Sequence, residues 1–296
     1  MTLHYDIPDL VRYINWSYFF FAWQLKQADE QQRIRSEAEA FLCQVSGQYK
    51  VHAVFRLFEA YSEGDDIVLT AERTDSAEPS LQAEYEIRIP CLRQQSGPSP
   101  YLCLADFIAP KTGAQPGSHL SSLTSLHSPL VTHLYSELGL FATSVDRGME
   151  TDFGHDPYQK MMAQLLADRL AEAAAEKLHE SVRRDYWGYA PEEQLSVEAL
   201  HQERFQGLRP AVGYPSLPDA SINFLLDRLL GFPQIGIRLT ESGAMRPHAS
   251  VSGLMLAHPE ARYFSVGKIG TDQLADYARR RGIPVEVARR FLAANL

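Results

Sequence analysis

The chain has 296 residues, 45% of them apolar or aromatic and 22% charged, a balance that supports a large buried core and argues against long disordered stretches. Its formal net charge of −9 argues against the basic face that a nucleic-acid or anionic-lipid surface requires. Three widely spaced cysteines with no Cys-x-x-Cys support neither a disulfide framework nor a zinc site.

Residues 5–27 read as one helix with more aromatic rings than a single apolar stripe needs, so that some should meet a second surface. The most apolar part, residues 16–23, is too short to span a bilayer and has no leader-like flanks, which makes the expectation cytoplasmic with no membrane contact. A second helix is expected over 30–46, closing at Gly47. Residues 51–57 and 67–70 then read as antiparallel strands about the acidic turn Glu63-Gly64-Asp65-Asp66. Alternation over 84–89 predicts a strand, 102–108 a shorter one, and 96–100 a turn between them. Residues 113–150 are the least legible stretch, with one strand expected at 138–144.

Asp156 before Pro157 is a helix start, and the helix is expected to run over 158–184. Ser196 caps a short helix over 196–203, and Gly231 closes another over 221–230. Residues 238–241, 254–257 and 263–269 read as strands, with helices over 272–281 and 285–292. No repeat or linker divides these elements, so the expected fold is α+β: a single domain over 1–296 with a mixed, largely antiparallel sheet packed with helices.

The usual catalytic signatures are missing: there is no His-Glu-x-x-His, Gly-x-Ser-x-Gly, P-loop or dinucleotide fingerprint. Ser242, Ser250 and Ser252 have no adjacent base, and His248 and His258 read as surface or capping residues. The most constrained loop is GLRPAVGYPSLPDAS, residues 207–221. Pro210, Pro215 and Pro218 pin φ, Gly213 can adopt positive φ, Arg209 offers a planar fork for a carboxylate or phosphate, and Tyr214 offers a ring with a polar tip. Spacing alone also allows an ordinary Pro-rich surface loop.

The Arg-x-x-x-Gly-Tyr-Pro pattern at Arg209–Tyr214 resembles the activation domain of cobalamin-dependent methionine synthase. The likeness continues through INWSYFFFAW (14–23), LRQQ (92–95), CLADFIAPK (103–111), LADRLAEAAAEKLHE with YWGYAP (167–191), LTESGAM (239–245), ASVSG (249–253), His258-Pro259 and DQLADYARRR (272–281). It fades over 113–150, with an apparent insertion around 117–137.

This resemblance implies an S-adenosylmethionine site built from Glu172, Arg209, Ala211, Gly213, Tyr214 and Tyr263, with no catalytic residue and no metal ligand on the chain. By itself, Glu172 with Glu176 and Glu180 reads as a solvated acidic ridge relieved by Arg169, Arg183 and Arg184, and Tyr263 as an ordinary strand aromatic. Asn15 departs from the family's aspartate before the tryptophan of the first helix. Loss of that charge facing a cationic ligand is worth about 1.5–3 kcal/mol. The implied function is a reactivation module, a methyltransferase component that is not autonomous. It would support reductive methylation of cob(II)alamin carried by a separate methionine synthase core polypeptide, with a flavodoxin-type electron donor. The alternatives are a binding or chaperone-like module for a corrinoid protein, and an activator of another corrinoid methyltransferase.

Overall fold

The computed structural model describes residues 1–72, 84–111 and 136–296. Strand β1 (Thr2–Asp6) leads through two short helical turns, Ile7–Leu10 and Val11–Tyr13, into helix α1 (Trp16–Ala22) and helix α2 (Ala28–Val45). Residues 5–27 are therefore not one helix. Tyr5 is drawn into antiparallel pairing opposite Val51, Pro8 starts a new turn, and Asn15 at φ −80, ψ 94 interrupts the helical path. The aromatic surplus divides accordingly. Phe19 is fully buried, with Trp16 edge-on to it at 5.4 Å, while Tyr18 and Phe21 stay 62% and 82% exposed.

Strands β2 (Lys50–Glu63) and β3 (Asp66–Glu72) pair antiparallel about the expected acidic turn, and β3 pairs with β4 (Glu84–Pro90). Strand β5 (Glu137–Val145) and, late in the chain, β8 (Ser250–Met255) complete a sheet of order β4-β3-β2-β5-β8, with β1 also on β2. Strands β6 (Arg238–Leu239) and β7 (Met245–Arg246) form a separate two-stranded ribbon. The α+β expectation holds. Two expected strands do not: 102–108 forms a 3-10 turn (Leu104–Phe107), and 263–269 has no ladder partner. In the first, the Asp106 carboxylate takes the Cys103 N–H and tightens the chain. In the second, the backbone bonds to loops instead, Val266 N–H to Pro215 and Ile269 N–H to Asn295. The presumed insertion at 117–137 lies almost wholly outside the described residues.

The longest helix, α3 (Pro157–Ser181), starts as expected on Asp156, whose Oδ1 accepts from the N–H groups of Tyr158 and Gln159, and continues into a π-helical turn, Val182–Tyr186. Helix α4 (Val197–His201) is capped by Ser196, α5 (Ile222–Leu230) ends at Gly231 with φ 68°, and α6 (Thr271–Arg281) and α7 (Val285–Phe291) close the chain.

Contacts divide the chain into two compact units. The first comprises residues 1–55, 141–205 and 226–252. Its centre is α3, whose buried Leu166, Leu170, Ala174 and Leu178 face the N-terminal turns, α1 and α2. Thr143 ties β5 to this helix through a 2.9 Å bond to the Ala171 carbonyl. The second unit comprises residues 56–140, 206–225 and 253–296. It buries Leu92, Val266, Ile269, Leu274, Tyr277 and Leu292 in one cluster. Its main polar staple is Arg93, which donates to Asp65 at 2.7 and 2.9 Å and to Asp106 at 2.7 and 2.8 Å. Gln273 of α6 holds Arg93 by its backbone from both sides, and Arg280 pairs with Asp66.

Candidate functional site

The Arg209–Tyr214 loop belongs to the second unit, and its path is fixed by the last part of β8. Leu208 and Leu256 exchange both backbone hydrogen bonds (2.8 and 2.9 Å), Leu254 N–H reaches the Pro210 carbonyl at 3.0 Å, and Ala211 bridges to Gly253. The chain then reverses. Gly213 takes φ 88° and donates to Leu217 at 2.8 Å, while Leu217 donates to Tyr214 at 2.9 Å. A Cβ at Gly213 would meet nothing within 4 Å, so the demand for glycine here is conformational and not steric.

A strap formed by residues 263–266 crosses this loop. Tyr263 donates its hydroxyl to the Arg209 carbonyl at 3.0 Å, Ser216 Oγ donates to the Phe264 carbonyl at 2.5 Å, and Val266 N–H reaches Pro215 at 2.9 Å. Five of the expected residues, Arg209, Ala211, Gly213, Tyr214 and Tyr263, thus lie on one loop and its strap. Tyr214 and Tyr263 keep 56% and 40% of their surface exposed, whereas Arg209 is 7% exposed, more deeply set than a surface loop would place it. Ser216, which latches the strap, had no sequence signal, because its partner lies 48 residues away.

Asn15 and Glu172 belong to the first unit. Asn15 is the N-cap of α1, its Oδ1 accepting the Ser17 N–H at 3.2 Å, and is half-buried. An aspartate would keep that cap and add a charge. Glu172 is half-buried on α3 among Ala171, Ala173 and Ala174. The ridge it was read into is not uniformly solvated. Glu180 accepts from the buried Tyr13 hydroxyl and pairs with Arg184 at 3.7 Å, and Arg183 turns away to Glu193 at 2.6 Å. Burial and the neighbouring carboxylate raise the Tyr13 pKa, keeping its hydroxyl a donor.

His258 caps locally, its Nδ1 accepting the Glu260 N–H at 3.1 Å, and burial holds its pKa below the usual imidazole value. His248 is exposed beside Asp168 at 3.3 Å. Among the described residues no three His, Cys, Asp or Glu side chains gather as a metal site, and no helix is long and apolar enough to cross a membrane. The chemistry this arrangement offers is recognition: a buried guanidinium, a rigid glycine turn and two accessible rings, with no nucleophile poised beside a base.

Comparison with known proteins defines the class. Residues 6–282 match the family described as the vitamin B12 dependent methionine synthase activation domain. The fold is similar to a crystal structure of the MetH reactivation domain bound to AdoHcy, with 36% sequence identity, a TM-score of 0.83, and coverage of 100% of this chain and 90% of that one. The chain belongs to the methionine synthase activation domain family.

Proposed function

We propose that this chain acts, over residues 1–296, as an S-adenosylmethionine-binding reactivation module for a cobalamin-dependent methionine synthase core carried on a separate polypeptide. The observation that supports it best is the Arg209–Tyr214 loop, pinned to β8 and latched by Tyr263, in a chain 36% identical to a reactivation domain bound to AdoHcy. The residues suit the ligand. Arg209 can grip the amino-acid carboxylate in a fork-to-fork pair, the Gly213 turn allows close backbone approach, and the rings of Tyr214 and Tyr263 can cover the rest. The family pattern adds Glu172, whose negative charge would complement the ligand's ammonium or sulfonium, and position 15, where this chain carries the neutral Asn15 and substitution tests the role.

Cobalamin, held by the partner, supplies the methyl-accepting cobalt, and a flavodoxin-type donor supplies the one electron that balances the transfer. The contribution of this chain is to bind and orient the methyl donor.

Binding to the native state raises its stability, by about 2.7 kcal/mol at a hundredfold excess over Kd. Calorimetry and thermal unfolding with S-adenosylmethionine are expected to show heat and a raised Tm. No response at millimolar ligand would favour the second reading, a binding or chaperone-like module for a corrinoid protein that has lost useful S-adenosylmethionine affinity, which Asn15 keeps open.

Asn15→Asp is the discriminating variant. It should tighten S-adenosylmethionine by about 1 kcal/mol, roughly fivefold, with a smaller gain for the uncharged sulfur of S-adenosylhomocysteine. Equal gains for both ligands would mean hydrogen bonding and not charge recognition. Weakening of both would remove position 15 from the site.

A further inference from the structure

The register of β1 on β2 sets His4 directly opposite His52. Their rings meet edge-on, with centroids 5.0 Å apart and planes at 82°, and the two Nδ1 atoms are 2.7 Å from each other. The other nitrogen of His52, Nε2, lies 2.8 Å from Asp146 Oδ1. Asp146 is itself fixed just after β5: its Oδ2 accepts the Lys50 N–H at 2.7 Å, and its own N–H reaches the Lys50 carbonyl at 3.0 Å. The carboxylate therefore holds the Nε2–H tautomer of His52 and points the Nδ1 lone pair at His4. At 2.7 Å the metal-free contact is then a hydrogen bond donated by His4 Nδ1–H, and a cation that displaces this proton, with His4 shifting to its Nε2–H tautomer, gains both Nδ1 lone pairs as ligands.

A histidine whose far nitrogen is tied to a carboxylate is the arrangement that orients imidazole toward a metal and raises its basicity. His52 has that arrangement and His4 adds a second imidazole nitrogen, a pair that suits a borderline divalent cation, with water filling the remaining positions because no third protein ligand gathers here among the described residues. The local charge agrees: Asp6 and Lys50 pair with each other, which leaves Asp146 as negative charge behind His52. His4 is exposed, so a cation can enter from solvent. Two nitrogens at about 2.0–2.1 Å from one tetrahedral metal stand roughly 3.3–3.4 Å apart, so the pair must open from the present 2.7 Å.

We propose that the Nδ1 atoms of His4 and His52 form a site for a zinc-class divalent cation across the β1–β2 pair, with Asp146 as positioning residue. The full chain titrated with zinc chloride should show one site at micromolar metal, and zinc should raise the Tm. His4→Gln should weaken that site at least tenfold and abolish the Tm gain while leaving metal-free unfolding unchanged. Nitrogen-15 spectra should show zinc shifting Nδ1 of both histidines, and Asp146→Asn should weaken binding by about tenfold and release the His52 tautomer. Absence of zinc binding, wild-type affinity in His4→Gln, or unmoved Nδ1 signals would overturn the proposal, leaving the pair as a hydrogen bond that shares one proton.

Discussion

Replacing Arg183 by methionine is expected to destabilise the protein by about 3–5 kcal/mol, the cost of stranding one member of a buried ion pair. The Arg183 side chain is 0% exposed and Glu193 is 8% exposed. Nε meets both carboxylate oxygens at 3.0 Å, Nη2 meets one at 2.6 Å, and the guanidinium lies 4.3 Å above the Phe205 ring centre. Arg183 also sits in the π-helical turn that redirects α3, where its carbonyl accepts the Ala190 N–H at 2.9 Å. Methionine keeps much of the volume but leaves the Glu193 carboxylate without its cation. Urea unfolding measures the loss, and adding Glu193→Leu should recover most of it, since no buried charge then remains. A double variant no more stable than the single one would show that packing, not the ion pair, sets the cost.

Arg209→Ala is expected to weaken S-adenosylmethionine at least tenfold, with Arg209→Lys recovering only part, because an ammonium cannot reproduce a two-point grip on a carboxylate. At 7% exposure, removal of the side chain also leaves a void beside β8. Affinity is therefore to be read by calorimetry on protein whose unfolding midpoint has been measured alongside. Unchanged affinity in folded Arg209→Ala would remove it from the ligand site.

What the sequence made legible was what is decided locally. Asp156, Ser196 and Gly231 mark helix ends through caps and positive φ within a few residues, and all three act as read. The proline and glycine spacing of the 207–221 loop likewise describes a backbone path, and the path is there. Where partners are distant, the pattern misleads. Tyr5 looks helical until β2 offers a ladder, and 263–269 looks like a strand until its backbone groups go to Pro215 and Asn295. The Tyr263 latch on Arg209 spans 54 residues and left no trace in spacing. Two of the family-like motifs, LRQQ and DQLADYARRR, turn out to carry framework: Arg93 and Arg280 bind carboxylates of the β2–β3 turn, and Gln273 secures Arg93. Resemblance alone does not separate such staples from ligand contacts. Burial and partners do.

The division of the chain into interleaved segments has a consequence for its biosynthesis. The first unit needs residues 1–55 and 226–252, and the second needs 56–140 and 253–296, so no single stretch of polypeptide contains either. At about 5–20 residues per second, the opening 55 residues wait roughly ten to forty seconds on the ribosome before the last segment of their unit has been translated. Early in that interval the β1–β2 pair has its partners within the nascent chain, while the apolar face of α2 waits for residues 157–181 of α3. The first unit can therefore be completed only after residues 226–252 have been made. Until then the apolar face of α2 is a surface that a chaperone would shield.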